Sequence, residues 1–293
     1  MTTARRTAPA LALLATLALL LTACGPTVAS AASTATVEAQ SSATPRAVVP
    51  PATAVETATP RAEKKGFVVA LDAGHGGDES GAAAYGVIER DSNLDLAQRV
   101  GTFLAAAGVQ VHYTRTDAGR ASGSTEGGDT RNLTRADLQA RVTGANRAGA
   151  DVFVSLHSNG SGDTSMRGVE VYYDSRRPFA DHSQRLAKEL LDGTLRGLAN
   201  AGAPSANRGI IDAACWRNFN GRCVGLFVLS PEGAVTGSGN VQAKEATKMP
   251  AALLETLFVS SPDDAALLKN DAVRTSVARG IADAILRYLG TTG

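Results

Sequence analysis

Aromatic residues are scarce in this chain of 293 residues, at 4%, and none occurs before Phe67. A segment without aromatics and with little aliphatic bulk cannot bury enough surface to offset the entropy of ordering itself, so the first 65 residues are excluded from the fold. Charge of one sign is lacking too. The whole chain is formally +1, and from residue 66 onward 23 basic residues face 25 acidic ones, a balance with no electrostatic footprint for nucleic acid. No Gly-x-Ser-x-Gly elbow and no His-Glu-x-x-His helix occurs, and the glycines around His75 are not followed by Lys-Ser/Thr. Those absences exclude the serine-hydrolase elbow, the helical zinc-protease motif and a phosphate-cradling loop. Only three cysteines and four histidines remain to be assigned.

The first 65 residues read as an export and tethering segment. Arg5 and Arg6 precede an apolar run from Leu11 to Leu21, too short to span a bilayer comfortably but of the length of a secretory signal's hydrophobic region. Twin-arginine export is a weaker reading of Arg5-Arg6, because the following residues do not support it. The run ends in Leu21-Thr22-Ala23-Cys24, which resembles the lipobox of bacterial lipoproteins and implies cleavage before a lipidated Cys24. An ordinary signal peptide or an uncleaved anchor is the alternative. From Gly25 to Lys65, Ala, Thr, Pro and Ser dominate, and Ala-Thr-Pro-Arg-Ala occurs at both 43–47 and 58–62. That composition is a low-complexity tether reaching on the order of 35 Å. The expected organisation is residues 1–23 as signal, 24–65 as lipidated tether and 66–293 as one catalytic domain.

With Cys24 assigned to lipid, Cys215 and Cys223 form an even pair, a candidate disulfide outside the cytoplasm, with two reduced thiols as the alternative. From Phe67 the pattern alternates. Phe67–Leu71, Val109–Thr114, Val152–Leu156, Val169–Tyr173, Gly225–Leu229 and Leu253–Val259 read as strands, while Leu94/Ala97/Val100/Leu104, Leu186/Leu190/Leu191/Leu195/Leu198 and Val273/Val277/Ile281/Ile285/Leu289 recur at helical spacing. An α/β domain with a largely parallel sheet follows, its site beyond the carboxyl ends of the strands. Ala118–Asn132 and about Gly202–Val224 read as long loops that could shape a groove.

His75 and His157 each stand just after an apolar run, so both emerge on one rim if their strands are parallel. His112, within a strand pattern, and His182, at a helix start, need only ordinary structural roles. Two imidazoles plus a carboxylate and an open position make a catalytic zinc site, but spacing alone does not choose among Asp72, Asp78, Glu79, Glu89 and Asp91. Glu255 lies within the run Met249–Val259, where a carboxylate is out of place. A carboxylate there requires a raised pKa, a partner or a metal, unless the strand is an edge strand with Glu255 facing solvent.

Four segments in order, Leu71-Asp72-Ala73-Gly74-His75-Gly76-Gly77, Glu89 to Ala97, Ala150 to Asn159 and Met249 to Ser260, resemble the zinc-dependent N-acetylmuramoyl-L-alanine amidases. Thr114-Arg115-Thr116-Asp117 and the Arg141 to Asn146 stretch fit as well. The resemblance spans about Phe67 to Leu289. It implies a mixed, mostly parallel, roughly six-stranded sheet between helices, with His75, Glu89 and His157 holding one zinc ion and Glu255 as the catalytic carboxylate. It implies peptidoglycan as substrate, cut between N-acetylmuramic acid and L-alanine, and an exported lipoprotein of the bacterial envelope held to the membrane through Cys24. A protein activator is left unspecified. Asn159 and Arg208 are candidates for the substrate groove. Two departures stand out: Ser261 where relatives usually carry Asn, which puts a supporting contact near Glu255 in question, and the Cys215–Cys223 region as a local elaboration. A zinc hydrolase of another amide and a non-catalytic peptidoglycan-binding lipoprotein are the competing readings.

Overall fold

The computed structural model describes residues 66–123, 130–217, 223–237 and 245–290; the signal-like run, Cys24 and the Ala/Thr/Pro/Ser tether lie outside these. Six strands form the main sheet: β1 (Val68–Ala73), β2 (Gln110–Tyr113), β3 (Val152–Asn159), β4 (Val169–Tyr173), β5 (Asn207–Asp212) and β6 (Ala251–Phe258), in the order β2-β1-β3-β6-β4-β5. Neighbours run parallel except β6 and β4, which pair antiparallel. The helices are α1 (Glu89–Ala106), α2 (Thr130–Arg147), α3 (Ala180–Asn200), α4 (Pro262–Lys269) and α5 (Asp271–Leu289). Among the described residues no helix is long and apolar enough to cross a membrane.

Strand periodicity sorts the side chains onto two faces. Val69 and Leu71, Val152, Val154 and Leu156, Val169 and Val171, and Ala252 and Leu254 share one core with the apolar stripes of α1, α3 and α5. On the opposite face Ala70, Phe153, Tyr172, Ala251 and Leu253 pack with Val142 and Ala145 of α2 and with Phe227, Val228, Leu229 and Met249. Strands covered on both sides read as unbroken apolar runs, which is why β3 and β6 stand out in the sequence. Glu255 therefore lies on a central strand and not on an edge.

Two expectations need correction. Gly225–Leu229 is not a strand: Leu229 and Ser230 donate their amides to the Leu226 carbonyl in a tight turn. Its apolar character comes from burial of Phe227, Val228 and Leu229 against the sheet, and burial alone does not specify backbone conformation. The sixth strand is instead Asn207–Asp212, inside the stretch read as a loop. As an edge strand it has no fully buried residue, so it lacks an apolar signature. The other long stretch also ends earlier than expected, because α2 begins at Thr130. Cys215 and Cys223 are bonded to each other.

Candidate active site

β1 and β3 are adjacent and parallel, so the chain delivers His75, just past β1, and His157, within β3, to the same end of the sheet. Glu89 reaches them from the first turn of α1. His75 Nε2 lies 2.9 Å and His157 Nδ1 3.0 Å from Glu89 Oε1, and one donor atom from each of the three residues falls within 4.8 Å of the others. Two nitrogens and an oxygen converging this closely could hold a metal ion. Of the five carboxylates that spacing left open, Glu89 is the one brought between the rings.

The surroundings hold this cluster in place. His75 adopts a left-handed backbone (φ 64°), a strained state for a residue with a side chain that persists only where neighbours over-determine it. Two buried arginines do so. Arg115 donates to the Ala73 and Gly74 carbonyls at 2.8 and 3.0 Å, and Arg141 to the Ala73 and His75 carbonyls at 2.6 Å each. Arg141 is in turn fixed by Asp72 at 2.8 Å and Asp137 at 2.8 Å. Gly74 must lack a side chain, since a Cβ there would collide with the His157 ring, and one at Gly81 would collide with Glu89 and His75. Glu89 Oε2 accepts the Ala82 amide at 2.8 Å, and Oε1 accepts the Ser158 amide at 3.2 Å.

Glu79, one of the sequence candidates, stands behind His75 instead, with Oε2 at 2.6 Å from Nδ1. A carboxylate on the outer ring nitrogen orients a ligand imidazole and raises its basicity. Electrostatically the cluster favours positive charge. Burial alone depresses the His75 imidazole, but its bonds to Glu79 and Glu89 outweigh that and push it up to about 10. Burial raises Glu89, yet His157 and His75 hold it well below the ordinary carboxylate range.

Glu255 pairs in register with His157 on one side and with Glu170 of β4 on the other. Its Oε2 is buried without a hydrogen-bond partner, and burial, then the charges of Glu89 and Glu170, push its carboxyl well above the ordinary value. A bulge between Glu255 and Phe258 follows, with Leu257 at φ 88°; such bulges re-aim side chains beside active sites. Ser261 does not bond Glu255. It caps α4, its hydroxyl accepting the Asp264 amide, a role Ser and Asn fill equally well.

Asn159 and Arg208 meet on a residue that sequence reading missed. Glu170 accepts from Asn159 Nδ2 at 2.6 Å, Tyr172 OH at 2.7 Å and Arg208 Nε at 2.7 Å. Its signal was the same as that of Glu255, a lone acid within an apolar strand. A cavity of about 430 Å³ opens at the site, lined by His75, His157, Glu79 and Arg120 on one side and Leu226, Phe227 and Val228 on another.

An α/β fold with a His/Glu/His candidate metal site and an acid without a partner for its Oε2 beside it is the arrangement of a hydrolase. Residues 69–287 match the sequence family N-acetylmuramoyl-L-alanine amidase, and the chain belongs to that family. It is 31% identical over 223 residues to the N-acetylmuramoyl-L-alanine amidase LytC of Bacillus subtilis, covering 76% of this chain and 36% of that one. It is 28% identical to the germination-specific N-acetylmuramoyl-L-alanine amidase of the same organism, covering 78% and 82%. Among solved structures, the catalytic domain of CwlV, an amidase from Bacillus (Paenibacillus) polymyxa, superposes with a TM-score of 0.54 at 29% identity, covering 77% of this chain and 99% of that one.

Proposed function

We propose that this chain is a zinc-dependent amidase of the cell envelope that hydrolyses the amide joining the lactyl group of N-acetylmuramic acid to the L-alanine of the peptidoglycan stem peptide. The observation that carries the reading is the convergence of His75, Glu89 and His157 beside the unpartnered carboxyl of Glu255. Family membership supports the substrate class. His75, Glu89 and His157 would hold the ion through two nitrogens and an oxygen. When bound, a zinc ion in such a site supplies a Lewis acid for the scissile carbonyl and lowers the pKa of a water molecule to about 7.

The rest of the work falls to the chain. Glu255 accepts the proton of the attacking water and passes it to the departing alanine nitrogen, a transfer helped by a proton affinity that burial raises above the ordinary carboxylate value. Glu79 fixes the orientation of His75, and Arg115 and Arg141 fix its loop. The N-terminal segment, with Cys24 lipidated, would hold the domain at the membrane while it reaches the wall. The test is incubation of the full chain with purified peptidoglycan, with and without chelator. Chelator-sensitive release of stem peptides with a free L-alanine amino group is expected. Products cut elsewhere would make it a different zinc hydrolase, and retention on the polymer without products would make it a binding protein.

A further inference from the structure

A second groove shares no lining residue with the 430 Å³ cavity, and the mechanism above makes no use of it. Its volume is about 470 Å³, and Ala82, Ala83, Ala84 and Tyr85 line one wall, with Gly160, Ser161, Gly162, Thr164, Val259 and Ser260 opposite. It neighbours the metal cluster through Ala82. Ala82 exchanges both of its backbone bonds with Glu89, at 2.8 and 2.9 Å, and Gly160 lies three residues beyond His157. Every lining residue is uncharged. The groove offers hydroxyls, backbone and small apolar surface, and one aromatic ring.

That ring is held out at some cost. Ala84 pairs with Val87, leaving Tyr85-Gly86 as a two-residue turn with φ 49° and 76°. Such turns need a left-handed backbone at both positions, where Asn-Gly is preferred and a bulky first residue is strained. Lys269 Nζ donates to the Tyr85 carbonyl at 2.8 Å, fixing the turn from behind. Tyr85 is nevertheless 49% exposed. Strain at an exposed position beside a site marks selection for what the side chain touches.

We infer that this groove, with Tyr85 as its platform, binds the glycan strand of the substrate, taking N-acetylhexosamine rings next to the muramic acid that bears the scissile bond. The inference rests on the amidase reading and assigns the two sides of the site different parts of the polymer. Muramic acid spends its own carboxyl in the scissile amide, so the glycan is neutral and matches an uncharged groove. Stem peptides carry free carboxylates, and this groove has no cation to meet them. A sugar ring presents a flat C–H face that packs on an aromatic side chain, while its hydroxyl and acetamido groups bond to hydroxyls and backbone.

The test compares peptidoglycan glycan strands with a soluble N-acetylmuramoyl-tripeptide, which carries only the sugar at the scissile bond. In the full chain, Tyr85→Ala should raise the ratio of KM on polymer to KM on the single-sugar substrate about tenfold, the scale of one aromatic contact. Tyr85→Trp should restore it. Tyr85→Asn should show the same KM penalty while relieving the turn, raising the melting temperature by about 2–4 °C. An unchanged ratio for Tyr85→Ala overturns the inference. Calorimetric titration of peptide-free glycan strands needs no turnover, so it separates the two readings. If the wild type releases no peptide but binds these strands about tenfold more tightly than Tyr85→Ala, the groove stands and the amidase reading falls. If neither protein binds them, the groove assignment falls.

Discussion

Glu255 and His157 are in-register partners on adjacent parallel strands, so an acid whose buried Oε2 has no hydrogen-bond partner stands directly beside an imidazole of the candidate metal cluster. Glutamine at 255 keeps the size of the side chain and loses its ability to carry a proton. Glu255→Gln should therefore lower kcat by about 10²–10⁴-fold while bound zinc, measured by metal analysis, stays at the wild-type level. The same variant should melt higher, because it removes a carboxyl that burial, Glu89 and Glu170 all disfavour as an anion. Wild-type turnover in this variant would remove Glu255 from the mechanism.

Glu79 makes a separate prediction, because it touches His75 only on the ring nitrogen that faces away from Glu89. A residue that orients a ligand acts through metal affinity before it acts on chemistry. Glu79→Gln should weaken zinc binding about 10–100-fold, read by competition with a chromophoric chelator, and activity should return at saturating zinc. Activity that stays low with zinc bound would mean that Glu79 has a direct part in turnover.

The sequence made the interior of the fold legible because β3 and β6 are covered on both faces and so are written as apolar runs. The same contrast exposed Glu255, since a charge is conspicuous only against such a background. What stayed hidden lies where burial and backbone state part company. Phe227, Val228 and Leu229 are buried in a turn, and Asn207–Asp212 is a strand with little to bury. The choice of Glu89 over Glu79 was invisible to spacing, because it depends on the Ala83–Ile88 hairpin that sets the start of α1. Glu170 carried a readable signal, whereas the convergence of Asn159 and Arg208 upon it depends on pairing across β4 and β5.

Asp72 and Arg141 form a buried ion pair, each about 1% exposed, and Arg141 also carries the His75 loop. Removing one partner leaves a buried charge uncompensated. Arg141→Met should destabilise the fold by about 3–5 kcal/mol, measured by denaturant unfolding. The pair also sets an acid limit. Burial raises the Asp72 carboxyl, but the Arg141 charge and the bonds from Ser155, Thr114 and Arg141 bring it below its ordinary value of 3.8. A depressed carboxyl contributes stability that is complete above its unfolded pKa and is lost as pH falls through the folded one. The melting temperature should therefore fall as pH drops below about 4, and Asp72→Asn, less stable at neutral pH, should show a shallower fall over that range.

Cys24 lies at the end of an apolar run that is short for a membrane span, so the proposed membrane attachment would come either from lipid on that thiol or from an uncleaved leader, whereas an ordinary cleaved leader would leave the unsubstituted protein soluble. The two predict opposite results for one substitution. Under the lipid reading, Cys24→Ser removes the acceptor, incorporation of radiolabelled palmitate stops, and the protein moves from the membrane to the soluble fraction, because a protein without acyl chains or a spanning helix has nothing to hold it there. An uncleaved leader would keep Cys24→Ser in the membrane fraction. Because the catalytic cluster lies more than 50 positions further along the chain, hydrolysis of isolated peptidoglycan should be equal for wild type and variant. Peptide release from intact cells should fall, because under the lipid reading the variant is no longer held at the bilayer.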